Sequence, residues 1–245
     1  EQKPRNGVCY RMSVPPIKTH GGDAVATDSG TDAAWAALPP RYLNDWRTGN
    51  KPKEQTWFKL GYDDTNLYLL ARCDDANVAK IKADSKQGDT TVYADDCIEL
   101  HLTFDADRSQ RYQIDVNSKG VTQTIKHTLN EGGVDVLDMA WKCVGLAAGA
   151  TVDDKGWTVE VAIPLSSVGG KDAAGNIFAA NIARAVYSGG DGIQPVELQA
   201  WPATTEGFDD GRYFGKIIMS NPDASATWFN EQTPPPNPVL FKRDK

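Results

Sequence analysis

The sequence has little sulfur, little histidine and no long apolar run. Of its 245 residues, four are cysteine, three methionine and three histidine. None of Cys9, Cys73, Cys97 and Cys143 forms a C-x-x-C pair, so the usual zinc-ribbon and thiol-disulfide signatures are absent. No apolar stretch approaches the roughly 20 residues of a membrane-spanning helix. Basic residues are also in deficit, 26 against 33 acidic ones, for a net charge of −7. That balance argues against nucleic acid, whose phosphates need a positive footprint, and against anionic membranes and acidic polysaccharides. Neutral ligands and divalent cations stay open. There is no P-loop, G-x-S-x-G, H-E-x-x-H or EF-hand spacing and no 20–50-residue repeat.

What remains is a pattern of strands and turns. "WFKLGYDDTNLYLLARCDD" reads as a hairpin around Asp63 to Asn66, "CIELHLTFDADRSQRYQIDVNSKG" as a second around Asp105 to Ser109, and "VGLAAGATVDDKGWTVEVAIPLSSV" as a third around Asp153 to Gly156. "FAANIARAVYS", "VELQAWPA" and "FGKIIMS" add further strands. Only "TDAAWAAL", with Asp32 as N-cap, and "IPLSSVG" suggest short helices. Turns every ten or so residues predict an all-β, antiparallel sandwich or barrel. Residues 1–27 read as an irregular N-terminal arm, 28–220 as the folded body and 221–245 as a Pro-rich tail or linker. The start, "EQKPRNG", suits a chain trimmed of a signal segment. Cys73 and Cys97 fall in neighbouring predicted strands and are either bridged or two free thiols.

The two-residue strand period assigns faces. Ile98, Leu100, Leu102 and Phe104 share one face with Tyr112, Ile114 and Val116 of the next strand. The other face carries Glu99, His101, Gln113 and Asp115, a lysine-free set of hydrogen-bonding groups that is either a solvated surface or a binding surface. Trp35, Trp57 and Trp157 read as core. Trp46 lies in the polar stretch "LNDWRTGNKP", where it extends a candidate site. Trp201 is expected to pack under the loop "EGFDDGRYFG", in which Phe214 reads as core and Phe208 as either core or a surface for a flat apolar ligand.

In order, "DSGTDAAW", "LGYDDTNLYLLARCDD", "YADDCIELHLTFD", "RYQIDVNSKG", "GWTVEVAIPLSSV" and "WPATTEGFDDGRYFG" resemble the family 9 carbohydrate-binding modules over residues 28–220. The resemblance implies a jelly-roll-like β-sandwich that binds sugars without catalysis, as a module of a secreted or cell-surface polysaccharide-active protein. In that family two tryptophans clamp a sugar ring. The matching positions here are Tyr93 and Phe208, aromatic but not tryptophan. Glu99 and Gln113 match the family's polar partners, and Arg184, beside Ala183, is a further candidate. Phe and Tyr offer less face than Trp, so binding is expected to be weak, about 10–1000 μM. Structural calcium occurs in the family, and Asp74, Asp75, Asp95 and Asp96 bracket adjacent strand ends where they could share one ion. The wider superfamily also includes haem-binding redox domains, which directs attention to His20, His101, His127, Met12, Met139 and Met219. Glu99 with Asp115 is the one pair that could serve a glycosidase. A structural or adhesion module without a sugar site is the remaining alternative.

Overall fold

The computed structural model describes residues 6–12, 19–20, 23–24, 33–170, 176–204 and 206–220. The predicted Pro-rich tail, the Asp32 cap and much of the predicted arm lie outside these residues. Among the described residues, twelve strands of four or more residues build the fold: β1 (Asn6–Arg11), β2 (Thr56–Tyr62), β3 (Asn66–Asp74), β4 (Cys97–Thr103), β5 (Gln110–Asn117), β6 (Thr122–Leu129), β7 (Asp135–Asp138), β8 (Ala147–Asp153), β9 (Gly156–Pro164), β10 (Ile177–Val186), β11 (Glu197–Trp201) and β12 (Gly215–Ser220). Hydrogen bonding runs in the order β7-β6-β5-β4-β10-β12-β1-β2-β3-β9-β8, with β11 beside β10. The ribbon folds over on itself, so β7, β6, β5, β4 and β10 form one layer and β1, β2, β3, β9 and β8 the other. The fold is the predicted β-sandwich.

All pairings are antiparallel except those of β1, which runs parallel to both β12 and β2. The arm expected to be irregular therefore contributes a strand at the junction of the layers, with Cys9 fully buried. Its signal, "NGVCYR", is too short and too polar at its ends to stand out from a loop.

The core between the layers takes Ile98, Leu100, Leu102, Tyr112, Ile114 and Val116 from one side and Phe58, Leu69, Trp157, Val159 and Val161 from the other. Each buried aliphatic or aromatic side chain contributes about 1.5–3 kcal/mol by leaving water. A one-residue slip of β4 would exchange Ile98, Leu100 and Leu102 for Glu99, His101 and Thr103, which fixes the register. A helical turn, Ala33–Ala36, covers the outer face of the second layer, where Trp35 and Leu38 pack on Tyr68, Leu70 and Met12. The other short helix appears as a 3-10 turn, Leu165–Val168.

The three predicted hairpins are present. At the first, Asp63 Oδ1 accepts from Thr65 N and Asn66 N, each at 2.8 Å, which closes the turn through its own side chain. All four cysteines are buried thiols. Cys73 and Cys97 are not bridged because β3 pairs with β2 and β9 whereas β4 pairs with β5 and β10. Burial raises both thiols well above their ordinary range.

The third hairpin depends on Gly156. Its φ is +145°, and a Cβ there would lie 2.0 Å from the Cys73 carbonyl oxygen. Gly156→Ala must therefore move β9 off β3 as well as adopt a backbone angle that only glycine tolerates. We expect it to lower the unfolding free energy by roughly 2–4 kcal/mol in urea titration; a change under about 0.5 kcal/mol would contradict this account.

Candidate polar-face binding site

The site lies on the outer face of β4, β5, β6 and β10. Cross-strand register places Glu99 opposite Asp115, His101 opposite Gln113 and Asn181 opposite His101. β6 extends the face, with Gln123 opposite Asp115 and His127 opposite Arg111. The predicted polar face thus exists, but it is not a solvated surface. Glu99, His101, Gln113, Asp115, His127 and Asn181 are all at or below 8% exposure. Two covers account for this. A 3-10 turn, Val92–Ala94, packs over one end, with Val92 N donating to Gln123 Oε1 at 2.9 Å. The segment 206–214 closes the other end, where Phe214 is buried with its ring 6.3 Å from that of His101.

Buried polar groups must find partners or change ionisation. Gln113 Nε2 donates to both Asp115 oxygens at 2.9 Å, and its Oε1 lies 3.0 Å from His127 Nε2. His127 Nδ1 lies 2.9 Å from Asp135 Oδ2, and Arg111 Nη2 donates to the same oxygen at 2.6 Å. His101 Nε2 lies 3.2 Å from Glu99 Oε2. Burial, and secondarily the Asp209 carboxylate, pushes the Glu99 carboxyl up to about 8. Burial and the facing Glu99 raise Asp115 as well, while burial lowers both His101 and His127. Both shifts favour the neutral forms of Glu99 and His101, which meet at 3.2 Å. The face is thus less charged than its composition suggests.

The aromatic positions stand at the two ends. Tyr93, on the 3-10 turn, is 48% exposed. Phe208 is half-buried on the closing segment and meets Trp46 edge-on, ring centres 5.6 Å apart. Trp46 is in turn covered by the Arg47 guanidinium, 4.2 Å from its ring. Beside Phe208 opens a pocket of about 630 Å³, lined in part by Arg108, Arg111, Asp135, Asp209 and Arg212. The predicted residues Glu99 and Gln113 therefore share one face, Trp46 and Phe208 form one cluster, and Tyr93 occupies the opposite rim.

Three expectations need correction. Arg184 lies on the core side of β10, wholly buried. It donates to Thr56 Oγ1 at 3.0 Å, the Asp74 carbonyl at 2.8 Å and Asp75 Oδ2 at 3.1 Å. Strand alternation puts Ala183, not Arg184, on the polar face. Second, the four aspartates do not fit a shared calcium ion. Asp75 accepts from Arg184, Ser188 Oγ and Asn77 N; Asp95 from Asp84 N, Ser85 N and Asn117 Nδ2; Asp96 from Lys82 N and Tyr187 N. These buried carboxylates hold loops to strand ends through N–H donors, and Asp74 points outward beside Arg72. Third, Trp201 turns into the core against Phe58, ring centres 5.6 Å apart, rather than under the closing loop. Of the other candidates, Met12 and Met219 are buried among apolar side chains, and Trp141 stacks on Tyr112.

The strands that carry His127 and Asp135 to this face were missed, as was the place of Arg111 and Asp209 beside them. The signal for His127 and Asp135 was present in "TQTIKHTLNEGGVDVLD", two short period-two runs around a Gly-Gly turn. The Thr-rich first run alternates polar with polar and so shows no hydrophobic period.

A family model described as carbohydrate family 9 binding domain-like matches residues 27–221. The chain belongs to this family. No curated protein matches. Among solved structures, a putative carbohydrate-binding protein from Bacteroides uniformis superposes with a TM-score of 0.65 at 13% identity, covering 88% of this chain and 99% of that one. A family 9 carbohydrate-binding module from Caldicellulosiruptor kristjanssonii, in complex with glucose, gives 0.55 at 21% identity over 87% of this chain and 94% of that one. A structure of a family 9 module from the same organism with cellotriose gives 0.54 at 18% identity, over 94% of this chain and 99% of that one. At these identities the likeness is one of fold.

The raised Glu99 carboxyl has a consequence for stability. Between its unfolded range near 4.5 and its folded value of about 8, the native state holds a proton that the unfolded chain releases. Stability therefore falls as pH rises through this window, by up to about 1.4 kcal/mol per pH unit. Glu99→Gln, which mimics the protonated acid, is expected to flatten the slope of unfolding free energy between pH 5 and 8. An unchanged slope in the variant would show that Glu99 is ionised in the native state.

Proposed function

We propose that this chain binds a neutral saccharide of the glucose-based class at the polar face, without turning it over. The observation that carries the reading is the arrangement of Tyr93 and Phe208 at the two rims of a strip formed by Glu99, Gln113 and Asp115. A pyranose ring has apolar C–H faces and a polar edge. Tyr93 and Phe208 would meet the former, each worth about 1–3 kcal/mol by analogy with base stacking. A proton-bearing Glu99 offers one donor and one acceptor side by side, which suits a hydroxyl. Its neutrality also avoids the cost of desolvating a carboxylate when the sugar covers it. Trp46 extends the apolar rim through its contact with Phe208. Family membership supports the class of ligand, and the glucose and cellotriose held by the two Caldicellulosiruptor modules support the choice of sugar. We read the chain as a non-catalytic module of a secreted or surface polysaccharide-active protein. The Pro-rich stretch 234–238 has the composition of an extended linker to further modules.

Isothermal titration with glucose, cello-oligosaccharides and oligomers of xylan, mannan and galactan tests this. We expect a dissociation constant of about 10–1000 μM for at least one glucose-based ligand. Phe208→Ala and Tyr93→Ala should each weaken it by roughly 5- to 150-fold with circular dichroism unchanged. No heat with any saccharide, or affinity untouched by both variants, would refute the site and favour a structural module.

A further inference from the structure

Beyond the saccharide strip, at the mouth of the 630 Å³ pocket, one histidine and two aspartates converge from three different segments. His127 comes from β6, Asp135 from β7 and Asp209 from the closing segment, and one ligand atom of each lies within 4.8 Å of the others. Exposed carboxylates often cluster without meaning. Here the hydrogen bonding behind the cluster gives it one. Gln113 Nε2 is held by both oxygens of Asp115 at 2.9 Å, so its carbonyl oxygen is the atom that faces His127 Nε2 at 3.0 Å. An oxygen there requires the hydrogen of the imidazole to sit on Nε2. Nδ1 is then the lone-pair nitrogen, and it points at a carboxylate oxygen 2.9 Å away, Asp135 Oδ2. Two lone pairs at that separation need a positive centre between them.

A proton on Nδ1 would satisfy that single contact and nothing else. It would leave Asp135 Oδ1, a buried oxygen with no hydrogen-bond donor, unsatisfied. Arg111 does not relieve it either, since its Nη2 reaches Oδ2 and its Nη1 donates to the Arg108 carbonyl. A divalent cation answers all of these at once. The back hydrogen bond from the ring N–H to a carbonyl is also how metal-bound histidines are commonly oriented. We propose that His127 Nδ1, Asp135 and Asp209 hold one divalent transition-metal ion, completed by water from the pocket. The imidazole and two carboxylates suit zinc or its first-row neighbours. They do not suit calcium, which takes oxygen ligands alone. The site is separate from the four aspartates at the strand ends and does not depend on the saccharide reading.

The test uses the full chain, stripped with EDTA and exchanged into chelator-free buffer, and titrated with ZnCl₂ by calorimetry. Bound metal is counted by mass spectrometry after gel filtration. We expect one zinc per chain and at least tenfold weaker binding in both His127→Gln and Asp209→Asn. Asp209 is exposed on a loop, so its variant reports even where loss of the buried histidine compromises folding. Asp210→Asn, one residue away and paired with Arg212, should leave zinc affinity unchanged. X-ray absorption of the zinc-loaded protein should show one imidazole in the ligand shell. Failure to bind zinc, nickel or manganese ions, binding that survives Asp209→Asn, or binding of CaCl₂ alone would overturn the proposal. None of these readouts involves a saccharide, so the two readings stand or fall separately.

Discussion

The constraint on which the rest depends is the burial of polar side chains on the outer face of a sheet. A sandwich ordinarily buries one face of each layer and leaves the other to water. Here β4 is covered on both faces, by the apolar core on one and by the closing segment and a 3-10 turn on the other. Each polar group trapped there must be satisfied within hydrogen-bond distance or change its protonation. Gln113, held between Asp115 and His127, does the first, and Glu99 is pushed towards the second. Leaving a buried charge without a partner would cost several kcal/mol, comparable to the whole stability of a domain.

The core side follows the opposite rule with one exception. Arg184 is wholly buried between the layers, yet three acceptors, Thr56 Oγ1, the Asp74 carbonyl and Asp75 Oδ2, receive its Nη atoms. This joins β10 in one layer to β2 and the end of β3 in the other. Such a pair contributes little net stability against an apolar alternative, because desolvation offsets attraction. It does require one relative placement of the two layers, since the guanidinium fork accepts only one geometry. The polar strip keeps its position over the core partly for this reason.

The sequence made the sandwich, its three hairpins and the facing of β4 and β5 legible because those segments alternate cleanly between apolar and polar. It also grouped Glu99 with Gln113, since period two needs no tertiary information. β1, β6 and β7 escaped for physical reasons. β1 is short, and β6 alternates threonine and lysine with glutamine, isoleucine and histidine, which leaves no hydrophobic signature. Arg184 was misplaced by one residue, enough to move it to the opposite face. The paired aspartates read as an ion site because sequence shows charge but not the N–H groups folded back against it. His127, Asp135 and Asp209 are more than 80 residues apart at the extremes, and only the return of the chain past β11 brings the last of them to the first.

The two ends of the polar face do different chemistry because they differ in what closes them. At the Tyr93 end the cover is a turn held by Val92 N on Gln123, and burial raises the carboxyls of Glu99 and Asp115 beneath it, which favours their neutral forms. At the Phe208 end the cover brings in Asp209, and Arg111 and Asp210 lie near it, so charged groups of both signs gather there. Phe208 and Asp209 are adjacent in the chain. Whatever fixes the carboxylate of one fixes the ring of the other to within the reach of a single peptide unit. The order of the closing segment therefore couples the polar and apolar halves of the site, and a rigid segment presents Phe208 with less conformational entropy left to lose on binding.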